Sequence, residues 1–197
     1  MGFEGRTIGI ALTGSHCTIP EVMPVIDSIV AAGASVVPIL SQSVAYTDTR
    51  FGKGQDIREH MEKITGTRVI DSISKAEPIG PKQMLDCLVI APCTGNTLSK
   101  LALGITDTTV TMAAKAQLRN GRPVLIGIAT NDGLSGSARN IATLLARKNV
   151  YFIPFGQDDP VNKPTSLVFR ITDMERAVEE ALENRQMQPI LVEGWRH

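Results

Sequence analysis

The chain has 197 residues, 43% of them hydrophobic and 4% aromatic, and its 20 Lys and Arg balance 20 Asp and Glu. That length suits one domain with a substantial core. Neutral charge argues against nucleic-acid binding, which needs a basic face to displace counterions; no apolar run approaches the roughly 20 residues of a membrane span; and Cys17, Cys87 and Cys93 form no CxxC pair of the kind that holds zinc.

The N-terminal MGFEGRTIGIAL lacks the apolar stretch and small-residue cleavage site of a secretory signal, so a cytoplasmic protein is expected. TIGIAL reads as a strand, residues 19–32 as a helix and SVVPIL as the next strand, together a βαβ unit. Thr18 and Glu21 stand at capping-box spacing, Pro24 is placed to kink the helix, and Gly33 is a stop signal. Residues 44–81 are less regular and mostly polar, with a helix expected around 57–64 and a short strand around 69–73. In LDCLVIAP the unbroken apolar run of residues 87–91 fits a strand covered on both faces, ended by Pro92. A helix beginning near Leu98 follows, then one ending near Asn120 and Gly121, the strand PVLIGIAT, a helix over 137–148 and the strand VYFIP. In the last helix Thr172 and Glu175 have capping-box spacing, and Met174, Ala177, Val178, Ala181 and Leu182 fall on one core-facing stripe.

This alternation predicts an α/β fold over residues 1–197: a single doubly wound, mostly parallel sheet in a Rossmann or flavodoxin-like three-layer sandwich. The helix and tail over 172–197, ending in Trp195 and His197, are expected to pack on that domain or on a neighbour. In such sheets ligands bind beyond the carboxyl ends of the strands, where the winding reverses.

Three loops should meet at that edge. Gly14, Ser15, His16 and Cys17 follow the first strand, Ser41 and Ser43 follow the second, and Thr94, Gly95, Asn96 and Thr97 follow LDCLVIAP. Small residues, hydroxyls and unpaired N–H groups at helix starts suit an anion, although Ser and Thr also cap helices for structural reasons alone. With neither GxGxxG nor GxxxxGK[ST] present, these lysine-free loops fit a phosphomonoester such as that of flavin mononucleotide (FMN). His16 can act as acid or base, or merely cap a helix. Cys17 stands where a thiol pKa would be lowered, with buried small-residue packing its expected role. Arg50, Lys53 and Arg58 can pair with carboxylates or form a solvated face. Asp158 and Asp159 suit turn chemistry or an intersubunit contact rather than a metal site.

These motifs carry a resemblance. TGSHC, SQS, APCTGNTLSKLALGITD and IATN together resemble the flavoprotein family of homo-oligomeric, flavin-containing cysteine decarboxylases. Pro92, Asn96 and Thr97 match the family's Pro-Ala-Ser-Ala-Asn-Thr loop. The likeness implies that Gly14, Ser15, Ser41 and Ser43, beside Thr94 and Thr97, hold the phosphate and ribityl chain of FMN. It also implies that Asn96 binds a substrate carboxylate and that Asn131 stands at the Pro-Ala-Met-Asn clamp, where Ile128 and Thr130 depart from the pattern. Tyr46 takes the place of a family histidine that serves oxidation before loss of carbon dioxide, so loss of carbon dioxide from cysteine substrates is not expected. A narrower likeness within the family, strongest in FIPFGQDDPVNKPTS, covers nearly the whole chain. It implies one component of a sporulation oxidoreductase of the mother cell; an FMN-dependent decarboxylase or transferase of the same family and a non-catalytic assembly subunit are the alternatives. Its substrate would be a cyclic dicarboxylate bound with help from Arg50, its partner a dehydrogenase-like protein carrying NAD(P), and its assembly a trimer or a multiple of one.

Overall fold

The computed structural model describes residues 2–193. Strand β1 (Thr7–Leu12) leads into helix α1 (Ile19–Ala31) and parallel strand β2 (Ser35–Leu40), with Thr7 opposite Ser35 and Leu12 opposite Leu40. After α2 (Gln42–Tyr46), α3 (Gly54–Thr65) and α4 (Ile73–Ala76) comes β3 (Cys87–Cys93), which lies on the other side of β1. Helices α5 (Gly95–Leu103) and α6 (Thr109–Arg119) precede β4 (Val124–Thr130), and α7 (Ala138–Leu145) precedes β5 (Val150–Phe152). Short strands β6 (Phe155–Gly156) and β7 (Leu167–Phe169) and helix α8 (Met174–Leu182) complete the order.

The parallel strands run β2-β1-β3-β4-β5, and the winding reverses between β1 and β3. The first half of β4 pairs with β5, whereas Ala129 and Thr130 at its end pair antiparallel with β7, which pairs with β6. This is the flavodoxin-like α/β fold that the alternating pattern predicts. Strands β1, β3 and β4 are almost wholly buried because helices cover both faces, the arrangement that favours continuous apolar runs. Helix α1 buries Ile19, Val22, Ile26 and Ile29, and α8 buries Met174, Ala177, Val178 and Ala181, each a stripe at helical spacing.

Several local expectations are corrected. Residues 69–73 form no strand: Ile70 makes a single bridge to Ile39 at the sheet edge, and Ser72 then caps α4. Pro92 does not end β3. The ladder shifts register between Ile90 and Cys93, and Cys93 resumes pairing opposite Ile128, so the proline sits at an irregularity that needs no donor. Helix α5 starts at Gly95 rather than near Leu98, with Thr94 as its N-cap. Helix α3 extends beyond 57–64 at both ends, and α7 stops at Leu145, short of Lys148. Helix α1, with Pro24 inside it, ends at Ala31, one residue short of the expected Ala32.

Neither expected capping box is formed by its threonine. Thr18 has helical dihedrals, caps no backbone N–H and lies 3.1 Å from the Ser15 hydroxyl instead. The last helix begins at Met174 behind a 3₁₀ turn over Ile171–Asp173, and Glu175 accepts a hydrogen bond from Ser28 of α1 at 2.9 Å. Ser41, Ser72, Thr94 and Thr108, in contrast, all have extended backbones and accept the N–H of the third helical residue. An N-cap oxygen reaches that N–H only from the extended region.

Within the chain the tail makes contacts with the β5–β6 region as far as Val192. Ile190 accepts from Phe155 N, Val192 donates to Phe155 O, and the Gln186 amide bonds both backbone groups of Phe152. Trp195 and His197 lie outside the described residues.

One buried carboxylate ties the irregular segment to the sheet edge. Asp71, next to the Ile70 bridge, accepts from the Tyr46 hydroxyl at 2.9 Å, Arg58 at 2.8 Å and Lys75 at 2.7 Å, joining α2, α3 and α4. Burial alone would push its pKa up. The hydrogen bonds from Lys75, Arg58 and Tyr46, with the Arg58 charge, outweigh this and bring it from 3.8 down to about 2. A carboxylate with a depressed folded pKa stabilises the fold above its unfolded pKa, and that stabilisation is lost as pH falls through the folded value. Asp71→Asn should therefore cost about 2 kcal/mol at neutral pH. It should also flatten the fall in stability between about pH 4 and pH 2. Denaturant unfolding of both proteins across that range measures each effect.

Candidate functional site

At the carboxyl edge the Thr13 side chain joins the two strands that flank the winding reversal. Its hydroxyl donates to Pro92 O at 2.8 Å and accepts from Thr94 N at 3.0 Å, and its own N–H reaches Pro92 O at 3.2 Å. The residue is almost fully buried, so these bonds are shielded from water. They set the β1–α1 loop beside the start of α5.

A cleft of about 440 Å³ opens there. Gly14, Ser15, His16, Cys17 and Thr18 form one wall, Thr49, Arg50 and Phe51 a second, and Thr94, Thr130, Asn131, Asp158 and Lys163 much of the rest. An apolar slot of about 220 Å³, lined by Ile19, Pro20, Met23, Ile57 and His60 among others, shares His16, Thr49 and Phe51 with it. His16 thus stands between a polar cleft and an apolar slot. Another cavity, of about 320 Å³ between α5 and α6, includes none of the sheet-edge loops that follow β1, β2 and β3.

Of the residues singled out from sequence, Gly14, Ser15, His16, Cys17, Arg50, Thr94, Asn131 and Asp158 line the cleft. Gly14 fits closely: a Cβ there would lie 3.0 Å from Ser43 Oγ. Ser43 stands behind Gly14 rather than on the cleft wall, 3.0 Å from the Ser41 hydroxyl, and Ser41 is occupied as the N-cap of α2. Thr97 is buried with its hydroxyl 3.1 Å from that of Thr94, and Asn96 is exposed on the first turn of α5, outside the cleft. Gly95 is constrained by packing, since a Cβ would come within 2.7 Å of Asp132 Oδ1 and Ser137 Oγ. Asp132 collects the Thr130 and Ser137 hydroxyls and shapes the loop that carries Asn131.

The cations divide. Arg58 is drawn to Asp71, and Lys53 precedes α3 away from the cleft. Arg50 lines the cleft with its guanidinium 4.8 Å from the Phe51 ring centre, a cation–π contact that leaves its edge free for an anion. Tyr46 lies outside the cleft, its hydroxyl donated to Asp71.

The paired acids also separate. Asp159 accepts from Asn162 N at 3.0 Å and from its side-chain amide, the turn role expected of it. Asp158 instead is 5% exposed and lines the cleft, a placement that sequence reasoning missed, as it missed Lys163. The FGQDDP motif was the available signal; which acid turns inward is set by the β6–β7 hairpin. Among the described residues no group of His, Cys, Asp and Glu has the makings of a metal site, and no helix is long and apolar enough to cross a membrane.

Cys17 corrects another expectation. It is exposed, its sulfur 4.0 Å from Ser15 Oγ and 3.8 Å from Thr18 Oγ1, because it sits on the loop before α1 rather than beneath the helix. Cys87 and Cys93 lie in β3, where burial pushes Cys87 up to about 12, helped by the Asp86 charge, and pushes Cys93 higher still.

Comparison with known proteins places this architecture. The Flavoprotein family model matches residues 3–180. The B subunit of dipicolinate synthase from Bacillus subtilis is 52% identical over 192 residues, covering 98% of this chain and 96% of that protein. The crystal structure of the corresponding B subunit of dipicolinate synthase from Bacillus halodurans superposes with a TM-score of 0.91 at 50% identity, over 99% of this chain and 100% of that one. At the level of the fold alone, Burkholderia xenovorans DmrB in complex with FMN matches with a TM-score of 0.67 at 18% identity, over 90% of this chain and 96% of that one.

The cysteine environments give a direct check. A water-soluble thiol reagent should modify Cys17 alone in the native protein and all three cysteines after unfolding. Thiol titration and mass mapping of the labelled peptide read both states.

Proposed function

The chain belongs to the flavoprotein family, and we propose that within it this chain works as the B subunit of a dipicolinate synthase. The observation that carries the reading is the near end-to-end identity of 52% with a protein of that name. In this reading a dihydrodipicolinate-type intermediate of the lysine pathway is oxidised by two electrons to pyridine-2,6-dicarboxylate, in the mother cell of a spore former. The dehydrogenase-like partner of the same synthase, its other subunit, carries NAD(P) and completes the enzyme.

The residues present fit FMN. Gly14 brings backbone close to the cleft without a side chain, Ser15 offers a hydroxyl, Thr94 lines the cleft as the N-cap of α5, and the 13-residue helix α1 directs its N-terminus there. The apolar slot beside His16 suits one face of a flat ring. Ser43, hydrogen-bonded to Ser41, stands behind the Gly14 backbone, and Thr97 supports Thr94. Flavin, when bound, would supply a two-electron acceptor. The chain's own groups then bind and orient: Arg50 and Asn131 take substrate carboxylates, and His16, in both cavities, moves the proton released as the ring aromatises. Asn96, outside the cleft of one protomer, would reach substrate across an interface between protomers. A homo-oligomer, a trimer or a multiple of one, accords with large apolar side chains left exposed, Leu103 at 72% and Val161 at 85% among them.

A decarboxylase reading is disfavoured by Tyr46. Its hydroxyl is donated to Asp71 and it lies outside the cleft, so it cannot take the place of the family histidine at the substrate.

Mixing this chain with its dehydrogenase-like partner should yield pyridine-2,6-dicarboxylate with both carboxylates retained, whereas this chain alone should release no carbon dioxide from a peptidyl- or pantothenoyl-cysteine. Turnover of the cysteine substrate, with no dicarboxylate from the mixture, would overturn the reading. Ser15→Asp should abolish FMN binding, through repulsion of the phosphate and loss of a donor, while leaving the circular dichroism unchanged.

A further inference from the structure

One group in the cleft has the wrong sign for an anion site. Asp158 is 5% exposed, and its Oδ1 is buried with no hydrogen-bond partner among the described residues. Its Oδ2 has only the Lys163 ammonium at 3.7 Å, beyond hydrogen-bond distance and on a side chain 53% exposed to water. Ser15, Arg50 and Lys163 on the same cleft all favour an anion. A buried carboxylate lacking a donor is costly and would also repel a dicarboxylate. The conflict disappears if the ligand itself brings an N–H donor along with its carboxylates.

We propose that Asp158 is the residue by which the cleft selects the reduced, N–H-bearing form of a cyclic dicarboxylate over the aromatic product, an inference that rests on the substrate class proposed above. A protonated ring imine or amine offers a charge-assisted hydrogen bond to the Asp158 carboxylate where it lines the cleft. The pyridine nitrogen of the product presents a lone pair to the same carboxylate and is repelled. Lys163, freed from Asp158 by the incoming donor, becomes available to a ligand carboxylate. Asp158 is therefore a specificity-determining residue, favouring substrate entry and product release with the same group.

The test is calorimetric titration of the full chain, with FMN added, using three stable probes: piperidine-2,6-dicarboxylate, pyridine-2,6-dicarboxylate and benzene-1,3-dicarboxylate. The wild type should bind the piperidine at least about tenfold more tightly than either aromatic probe. Asp158→Asn should lose that preference while binding the pyridine at least as well as before. Equal affinity of the wild type for all three probes, which needs no variant, would overturn the inference. So would a preference that Asp158→Asn retains, or no binding of any probe. Formation of pyridine-2,6-dicarboxylate by the wild type with its dehydrogenase-like partner reads the underlying function separately, so failure of the selectivity and failure of the synthase reading are distinguishable.

Discussion

The Thr13 hydroxyl, donating to Pro92 O and accepting from Thr94 N, is the contact on which the cleft depends. An open, doubly wound sheet leaves a crevice wherever neighbouring strands send their connections to opposite sides, here between β1 and β3. Left alone, two loops leaving those strands would be free to separate. A buried side chain that satisfies one carbonyl and one N–H fixes them side by side, and it does so where water cannot compete. The register shift in β3 between Ile90 and Cys93 belongs to the same construction, because it delivers the Pro92 carbonyl to Thr13 before the ladder resumes.

Charge is sorted around this edge as strictly as backbone. Arg58 and Lys75 both pair with Asp71, whose carboxylate fastens the helices after β2, and neither lines the cleft. Arg50 and Lys163 remain to face it, both on surface loops and able to meet a ligand. A chain with zero formal net charge can thus still gather cations along one cleft. The thiols follow the same sorting: two are made inert by burial in β3, and one stands at the cleft.

The fold and the main loops were readable because their signals are local and repeated. Continuous apolar runs in β1, β3 and β4, and the helical stripe of α8, report burial directly. Small residues after β1 and β3 marked where the chain turns at the sheet edge. Details that depend on backbone dihedrals or distant partners were not readable. Thr18 and Thr94 are both threonines ahead of helices, yet only Thr94 is extended enough to cap. Residues 69–73 carry strand-like apolar content, but Asp71 is claimed by three donors from flanking helices and Ser72 begins a new one. Asp158 and Asp159 are adjacent and identical in type, and only the hairpin that buries the first distinguishes a cleft group from a turn. The arginines after β2 were equivalent on paper; Asp71, further along the chain, separates Arg58 from Arg50.

Central to the proposed function is that the loop after β1 and the N-terminus of α1 hold a flavin through its phosphate. Fluorescence-quenching titration of the purified chain with FMN and with riboflavin isolates that contribution, since the two ligands share ring and ribityl chain. If backbone N–H groups and the Ser15 hydroxyl bind the phosphate, FMN should bind at least about a hundredfold more tightly, the equivalent of two charge-assisted hydrogen bonds. Equal affinity for the two flavins, or no binding of FMN, would contradict it.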